Sequence, residues 1–297
     1  MDALKQTAGE LWFGKFNYVL LSVIAVLTLF PFVYVLSASI SSSDAVISGR
    51  VILLPKEITF SAYEKVFGMA GLWRAYGNTI FYTVFGTLVN LLFITLGAYP
   101  LSKRRLVGAS FLSFFIALTM FINMSGTAGM IPFYLNLRDL GLLDSRFTII
   151  FGFAVITFYV FLMRTFFQSV PDEIEESAKM DGANDWQILL RIYLPLSLPA
   201  FASIGLFCAV SRWNGYFWTM VILRDESKIP LQVLLRKLIV EMNLTADMMS
   251  AADISSGLSK ETVIYATIVI SIVPIIAIYP FIQKFFVKGM MLGAIKD

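Results

Sequence analysis

Residues 169–195 read SVPDEIEESAKMDGANDWQILLRIYLP. Ser169 can cap a helix whose first turn holds Pro171, Asp172 and Glu173, with the acids at the positive end of the helix dipole. Gly182 stops that helix, Asn184 or Asp185 can cap a second short one running to about Tyr193, and Pro195 marks a bend. The setting makes this reading decisive, because the chain is strongly apolar on both sides of it. A polar helix–turn–helix held between two apolar segments forms a compact, rigid protrusion, a shape suited to docking.

Outward from this loop, the composition is that of a membrane chain. Of 297 residues, 58% are hydrophobic and only 14% charged, with a mean hydropathy of +0.78; soluble domains carry roughly 25% charge. A spanning helix needs about 20 apolar residues, and six segments meet that: 16–40, 79–101, 108–131, 147–163, 198–223 and 262–283. The alternation of barrel strands is absent, so these are expected to be helices. The expected organisation is an N-terminal tail at 1–15, a single transmembrane domain at 16–284 carrying the polar loop at 168–196, and a C-terminal tail at 285–297. The apolar run at 16–40 is too long for the core of a signal peptide and contains Pro31, so it reads as a retained helix.

Several chemistries are excluded together. The chain has no His and one Cys, which removes imidazole metal sites, Ser-His-Asp and Cys-His catalysis and intramolecular disulfides. A net charge of +3 without a clustered basic face excludes nucleic-acid binding. Residues 9–15, GELWFGK, imitate most of a phosphate-binding loop, but Phe16 stands where Ser or Thr is required and no strand precedes them.

The cations divide eleven to eleven between the two sides of the six-span arrangement, so their number does not orient it. Lys103-Arg104-Arg105, in a very short loop without acids, leans towards that loop being cytoplasmic, with both termini inside.

Within the quoted loop, Glu176-Ser177-Ala178, three residues, Gly182, nine residues and Ile192-Tyr193-Leu194-Pro195 follow the E-A-A-x3-G-x9-I-x-L-P pattern. In this the chain resembles the permease subunits of ABC importers, departing only at Ser177, where the pattern has Ala. The likeness extends over nearly the whole chain and points to the carbohydrate-uptake type, similar to the smaller maltose-transport permease and to complex-oligosaccharide permeases. Residues 131–134 (IPFY) leading to 140–144 (LGLLD), Trp213-Asn214, and 286–290 (FVKGM) to Gly293-Ala294 also look like that family.

The resemblance implies an all-α polytopic protein of the bacterial cytoplasmic (inner) membrane, with six transmembrane helices, the type I importer architecture and both termini cytoplasmic. It implies a non-catalytic subunit that binds no cofactor, with ATP and Mg on a separate ATPase. The partners implied are a homologous but distinct second permease, two cytoplasmic ATPase subunits, an extracellular or periplasmic sugar-binding protein, and membrane lipid. The ATPase-coupling residues would be Glu176, Ser177, Ala178, Asp181, Gly182, Ile192, Leu194 and Pro195. Glu176 would face basic residues of the ATPase, Ala178 would pack closely and Gly182 would make the tight turn. Lys288, Gly289 and Gly293 in the tail would also dock there, against the plainer reading of a basic tail at anionic headgroups.

A substrate path is sought where polar groups interrupt apolar spans. Arg212 is the one charge inside an expected span, about 21 Å along a helix starting at Leu198, so it must face a cavity, a partner or the outer interface. With Trp213, Asn214 and Tyr216 it offers hydrogen bonds and stacking faces suited to sugars, acidic ones included; an aromatic interfacial belt has the same composition. Asn123 and Ser125, with Met124 and Gly126, interrupt the third apolar run, either lining water or packing through small residues. Loops at 41–78 and 224–261 would face outward to the binding protein, and 231–242 has the spacing of a helix lying along the membrane surface. Half of a secondary transporter is the alternative class, but it calls for membrane-embedded acids, which the six segments lack. A permease for a non-sugar solute also fits, whereas a scaffold or sensor has no use for the docking loop.

Overall fold

The computed structural model describes residues 8–103, 105–124, 129–240 and 259–294; the side chains of 8, 10, 122–124 and 278–294 lie outside the described set. All regular structure among the described residues is helical. In chain order the helices are α1 (Ala8–Ser39), α2 (Ser43–Ile47), α3 (Ser61–Gly68), α4 (Ala70–Ser102), α5 (Ala109–Met124), α6 (Met130–Asp139) and α7 (Arg146–Phe151). Then follow α8 (Thr157–Gln168), α9 (Asp172–Met180), α10 (Asp185–Leu196), α11 (Leu198–Asn214), α12 (Phe217–Ile222), α13 (Leu231–Val240) and α14 (Lys260–Ala294).

Three of these are long and apolar enough to cross a bilayer among the described residues: α1 over Leu11–Ser39, α4, and α14 over Lys260–Ala277. The pair α10 and α11, bent by 83°, makes a fourth if taken as one span. The expected helix at 147–163 is broken instead, α7 ending at Phe151 and α8 starting at Thr157. That at 198–223 is interrupted at Gly215. The helix expected from 16 begins at Ala8, so residues 9–15 are helical rather than a loop, and the last helix continues past 283 to Ala294.

The chain forms two compact units, Met1–Ala70 with Leu235–Pro274, and Gly71–Leu234 with Ile275–Asp297. In the first, hydroxyls organise the chain after α1. Buried Ser37 donates to the Leu53 carbonyl at 2.6 Å, buried Ser39 pairs with the Tyr63 hydroxyl at 2.7 Å, and Ser43 accepts from the Ser259 N–H at 2.7 Å. Most of α1 remains exposed along its apolar length.

In the second unit α4 is the axis, 33 residues without a break although Pro100 lies inside it. Near its start it holds an irregular segment by backbone carbonyls. Asn78 donates to Ser227 and Ile229 at 2.8 and 3.0 Å, Tyr82 donates to Lys228 at 2.8 Å, and Thr79 accepts from the Leu231 N–H at 2.8 Å. The Asp144 carboxylate accepts from the backbone N–H groups of Arg224 and Asp225 and from Lys228, at 3.0–3.1 Å. The segment expected to lie along the membrane surface is helical as α13, but most of its apolar residues are buried, Leu231, Val233, Leu234, Leu235 and Leu238, and of them only Ile239 and Val240 at its end are exposed.

Near the other end of α4, one apolar core joins Ile94, Ala98 and Tyr99 to Met163 and Phe167 of α8, to Ile188, Leu189 and Tyr193 of α10, and to Ile204 of α11.

Candidate docking loop and membrane cavity

The first helix of the loop starts two residues later than a cap at Ser169 would place it. Ser169 closes α8, its hydroxyl donating to the Phe166 carbonyl, and Pro171 precedes α9, whose first turn holds Asp172, Glu173 and Glu175. Gly182 then sits at φ +83°, a conformation that L side chains rarely adopt. The Ala183 N–H bonds the Ala178 carbonyl and the Gly182 N–H that of Lys179, both at 3.0 Å, the paired reversal that ends a helix on a glycine. Asn184, not Asp185, caps α10, in a reciprocal pair with Gln187. Leu189–Tyr193 of α10 form a π turn, Pro195 stays within the helix, and the bend into α11 comes at Ser197.

The motif residues divide into two faces. Ala178, Ile192 and Leu194 pack against the apolar core, while Glu176, Ser177, Asp181, Gly182 and Pro195 are exposed. Beside them Met180 is 83% and Trp186 59% exposed, an apolar surface set among acids. Such a face presents apolar and acidic surface together on a turn held by its own caps.

The residue that anchors the loop is Glu175, which the motif does not include. It is buried, and its carboxylate accepts hydrogen bonds from Lys103, Lys179 and the Tyr193 hydroxyl, the last at 2.7 Å. Burial by itself would raise this carboxyl, but those three hydrogen bonds outweigh it and hold the group down at about 2. Lys103 is buried too, its ammonium 3.6 Å from the centre of the Tyr193 ring and 4.2 Å from that of Tyr99. Arg105 adds an exposed bridge to Asp185 at 2.5 Å. Glu175 and Glu176 are adjacent on one helix, so about 100° apart in direction: the first turns inward to Lys103, the second outward. Two sequence signals pointed to this arrangement, the i,i+4 spacing of Glu175 and Lys179 and the acid-free Lys103–Arg105 cluster.

Of the three surroundings expected for Arg212, a cavity, a partner or the outer interface, it lies beside a cavity. It does not run out along its helix to the interface; it turns into the protein, where Nε donates to Asn90 at 2.9 Å and the two Nη atoms donate to the carbonyls of Ile149, Ile150 and Phe153. Asn90, fully buried, donates in turn to Phe153 and Ala154 at 2.7 and 2.8 Å. These are the carbonyls that the break between α7 and α8 leaves without helical partners, and irregular backbone at membrane depth requires such satisfaction. Gly86 makes room for the arrangement: a Cβ there would lie 2.9 Å from Arg212 Nε. Neither Gly86 nor Asn90 carries a sequence signal.

One wall of a cavity of about 410 Å³ is formed by the same region, with Tyr82, Phe153, Ser211, Arg212, Asn214, Tyr216 and Trp218 among its lining. Asn214 and Tyr216 are exposed, whereas Trp213 is half-buried, its ring edge-on to Tyr76 and its Nε1 without a hydrogen-bond partner. Trp218 packs between Phe133 and Phe153. Flat aromatic surface with a few convergent polar groups is the usual lining of a site for a small polar solute. Asn123 lies in α5 with its side chain outside the described residues, and Ser125 lies outside them altogether. Lys288, Gly289 and Gly293 fall within α14, again with side chains outside the described set.

A family model described as "Binding-protein-dependent transport system inner membrane component" matches residues 69–292. The chain is similar to the "Polygalacturonan/rhamnogalacturonan transport system permease protein YtcP" of Bacillus subtilis, 38% identical over 284 residues, with 96% of this chain and 98% of the relative covered. It is likewise similar to "Protein LplC" of the same organism, 37% identical, covering 96% and 95%. Among solved structures, one chain of a bacterial ABC transporter "involved in the import of the acidic polysaccharide alginate" matches with a TM-score of 0.90 at 51% identity, over 96% of this chain and 100% of that one. The docking-loop pattern, the apolar helices and these matches agree, and the chain belongs to the family of binding-protein-dependent transport system inner membrane components.

Proposed function

We propose that this chain is one permease subunit of an ATP-driven importer of acidic oligosaccharides in the bacterial cytoplasmic membrane, paired with a distinct second permease. The observation that carries the reading is the 51% identity, over essentially both full lengths, to a chain of the alginate-importing transporter. Its relative YtcP is named for polygalacturonan and rhamnogalacturonan transport, polymers that also contain uronic acids. ATP hydrolysis belongs to separate ATPase chains that receive the exposed face of the 176–195 loop, and a binding protein delivers the sugar to the opposite side. Asn214, Tyr216 and the aromatic wall contact the passing saccharide, with Arg212 holding that wall in place.

Six crossings with both termini cytoplasmic fit this reading. What supports it is that Lys103 and Arg105 bond the 169–195 loop, as two segments on one side of a membrane would, and that the start of α4 bonds residues 227–229 while Asp144 bonds 224–228, as segments on the opposite side would. The arrangement requires α5, the broken pair α7–α8, and α11–α12 each to count as one crossing.

The test is reconstitution with partner permease, ATPase and binding protein in lipid vesicles. ATP-dependent uptake of oligouronates at least tenfold faster than of neutral oligosaccharides of equal length is expected. Equal rates overturn the acidic specificity, and uptake indifferent to ATP overturns the importer.

A further inference from the structure

The docking loop has three physical routes to the cavity, and they differ in stiffness. Through its N-terminal end the route is α8, which stops at the break spanning residues 152–156. Through its C-terminal end the route is α10 and α11, which contains a π turn and the 83° bend at Ser197. The third route is not along the chain. It passes from Glu175 to Lys103, into the unbroken α4, and out again at Asn90 to Arg212. Lys103 and Asn90 are thirteen residues apart, about 20 Å along the helix. Between them Ile94, Ala98 and Tyr99 are buried against α8 and α10, which leaves the helix no slack to slide. Arg212 then precedes the cavity residues Asn214 and Tyr216 by two and four positions.

A bent pair or a broken helix absorbs displacement in its flexible joint, whereas a continuous packed helix passes it on. We propose that α4 is the lever that carries movement of the docking loop to the cavity, with the buried Lys103–Glu175 ion pair as its joint at the loop and the Asn90–Arg212 contact as its joint at the cavity. This rests on the reading that the loop docks the ATPase. Lys103, Glu175 and Asn90 are positioning residues here, acting through α4 and not on sugar or nucleotide. The coupling is a mechanical claim about two discrete contacts, so it is open to a direct energetic test.

The experiment uses the assembled transporter, with both permeases, two ATPase chains and the binding protein, in vesicles, and reads oligouronate imported per ATP hydrolysed. Lys103→Met and Asn90→Leu are each expected to lower that ratio about tenfold with the ATPase chains still bound. Two joints in series fail as one, so the double variant should also lose about tenfold rather than the hundredfold expected of independent defects. If Lys103→Met prevents assembly, Glu175→Gln, which preserves the shape and the acceptor for Lys179 and Tyr193, replaces it in the same cycle. Lys103→Arg, which restores the pair, should stay within twofold of wild type. Multiplicative losses, or single variants with an unchanged ratio, overturn the lever. Failure of the docking reading is seen separately and in wild type, as ATPase chains that bind without protecting residues 176–182 from proteolysis.

Discussion

Lys103 and Arg212 are both cations withdrawn into the protein, and each holds together segments far apart in sequence. Their partners differ. Lys103 meets a carboxylate, Glu175, with two further donors converging on the same oxygens. Arg212 meets only neutral acceptors, one side-chain amide and three backbone carbonyls. The first arrangement fixes the loop to the end of α4, and its charge is cancelled locally. The second satisfies carbonyls at a helix break, where the need is for donors and a planar guanidinium supplies several from one side chain. One contact therefore depends on a titrating group and the other does not.

The largest effect is expected at the break. Arg212→Met leaves the Ile149 and Ile150 carbonyls and the Asn90 side-chain oxygen unsatisfied, while Asn90 still bonds the Phe153 carbonyl; at about 1–3 kcal/mol each, thermal unfolding of the purified subunit should show a loss of about 4 kcal/mol, and a loss below about 1 kcal/mol would mean that water replaces the guanidinium without cost. Lys103→Met should cost less, about 2–3 kcal/mol, since Lys179 and Tyr193 still bond the buried carboxylate. Two glycines sharpen the same contrast. Gly86→Ala pushes a methyl against a guanidinium fixed on four acceptors and should cost about 2 kcal/mol. Gly182→Ala meets open space, so only its positive φ opposes it, by about 1 kcal/mol. Equal costs at the two glycines would break the distinction between crowding and backbone conformation.

Acid separates the two regions, because only one of the two contacts titrates. The Glu175 carboxyl lies at about 2 in the folded protein against an ordinary 4.5. Its contribution is fully present above about pH 4.5 and is lost as pH falls towards 2. Between those values wild type should lose stability more steeply than Glu175→Gln, while Arg212→Met should parallel wild type. A Glu175→Gln curve parallel to wild type would remove the carboxylate from the account.

The docking loop was legible because its determinants lie close together in the chain. The Gly182 turn, the Asn184 cap and the packing side of Ala178 depend on neighbours within a few residues. Glu175 escaped that reading because its defining partner, Lys103, is 72 residues away and adjacent Glu176 already filled the motif. The need of Arg212 for partners was evident from its charge in an apolar segment, but their identity was not. The carbonyls exist as acceptors only because α7 and α8 are interrupted, and an apolar run such as 147–163 shows no polar sign of that break. The interruption at Gly215 does carry a sign, the adjacent Asn214 and Gly215 themselves, but the apolar residues on both sides read as one span.

The inward Glu175 and the outward Glu176 offer the most direct test of the account. Cys208, the chain's one cysteine, is buried, so a Glu176→Cys chain carries a single accessible thiol for a photoactivatable crosslinker. In the assembled, sugar-importing complex the probe at 176 should crosslink to an ATPase chain, and more strongly than a probe at Ile52, Leu53 or Leu54, which are exposed. A probe at 176 that reaches only lipid or the second permease, in a complex that still imports sugar with ATP, would contradict it.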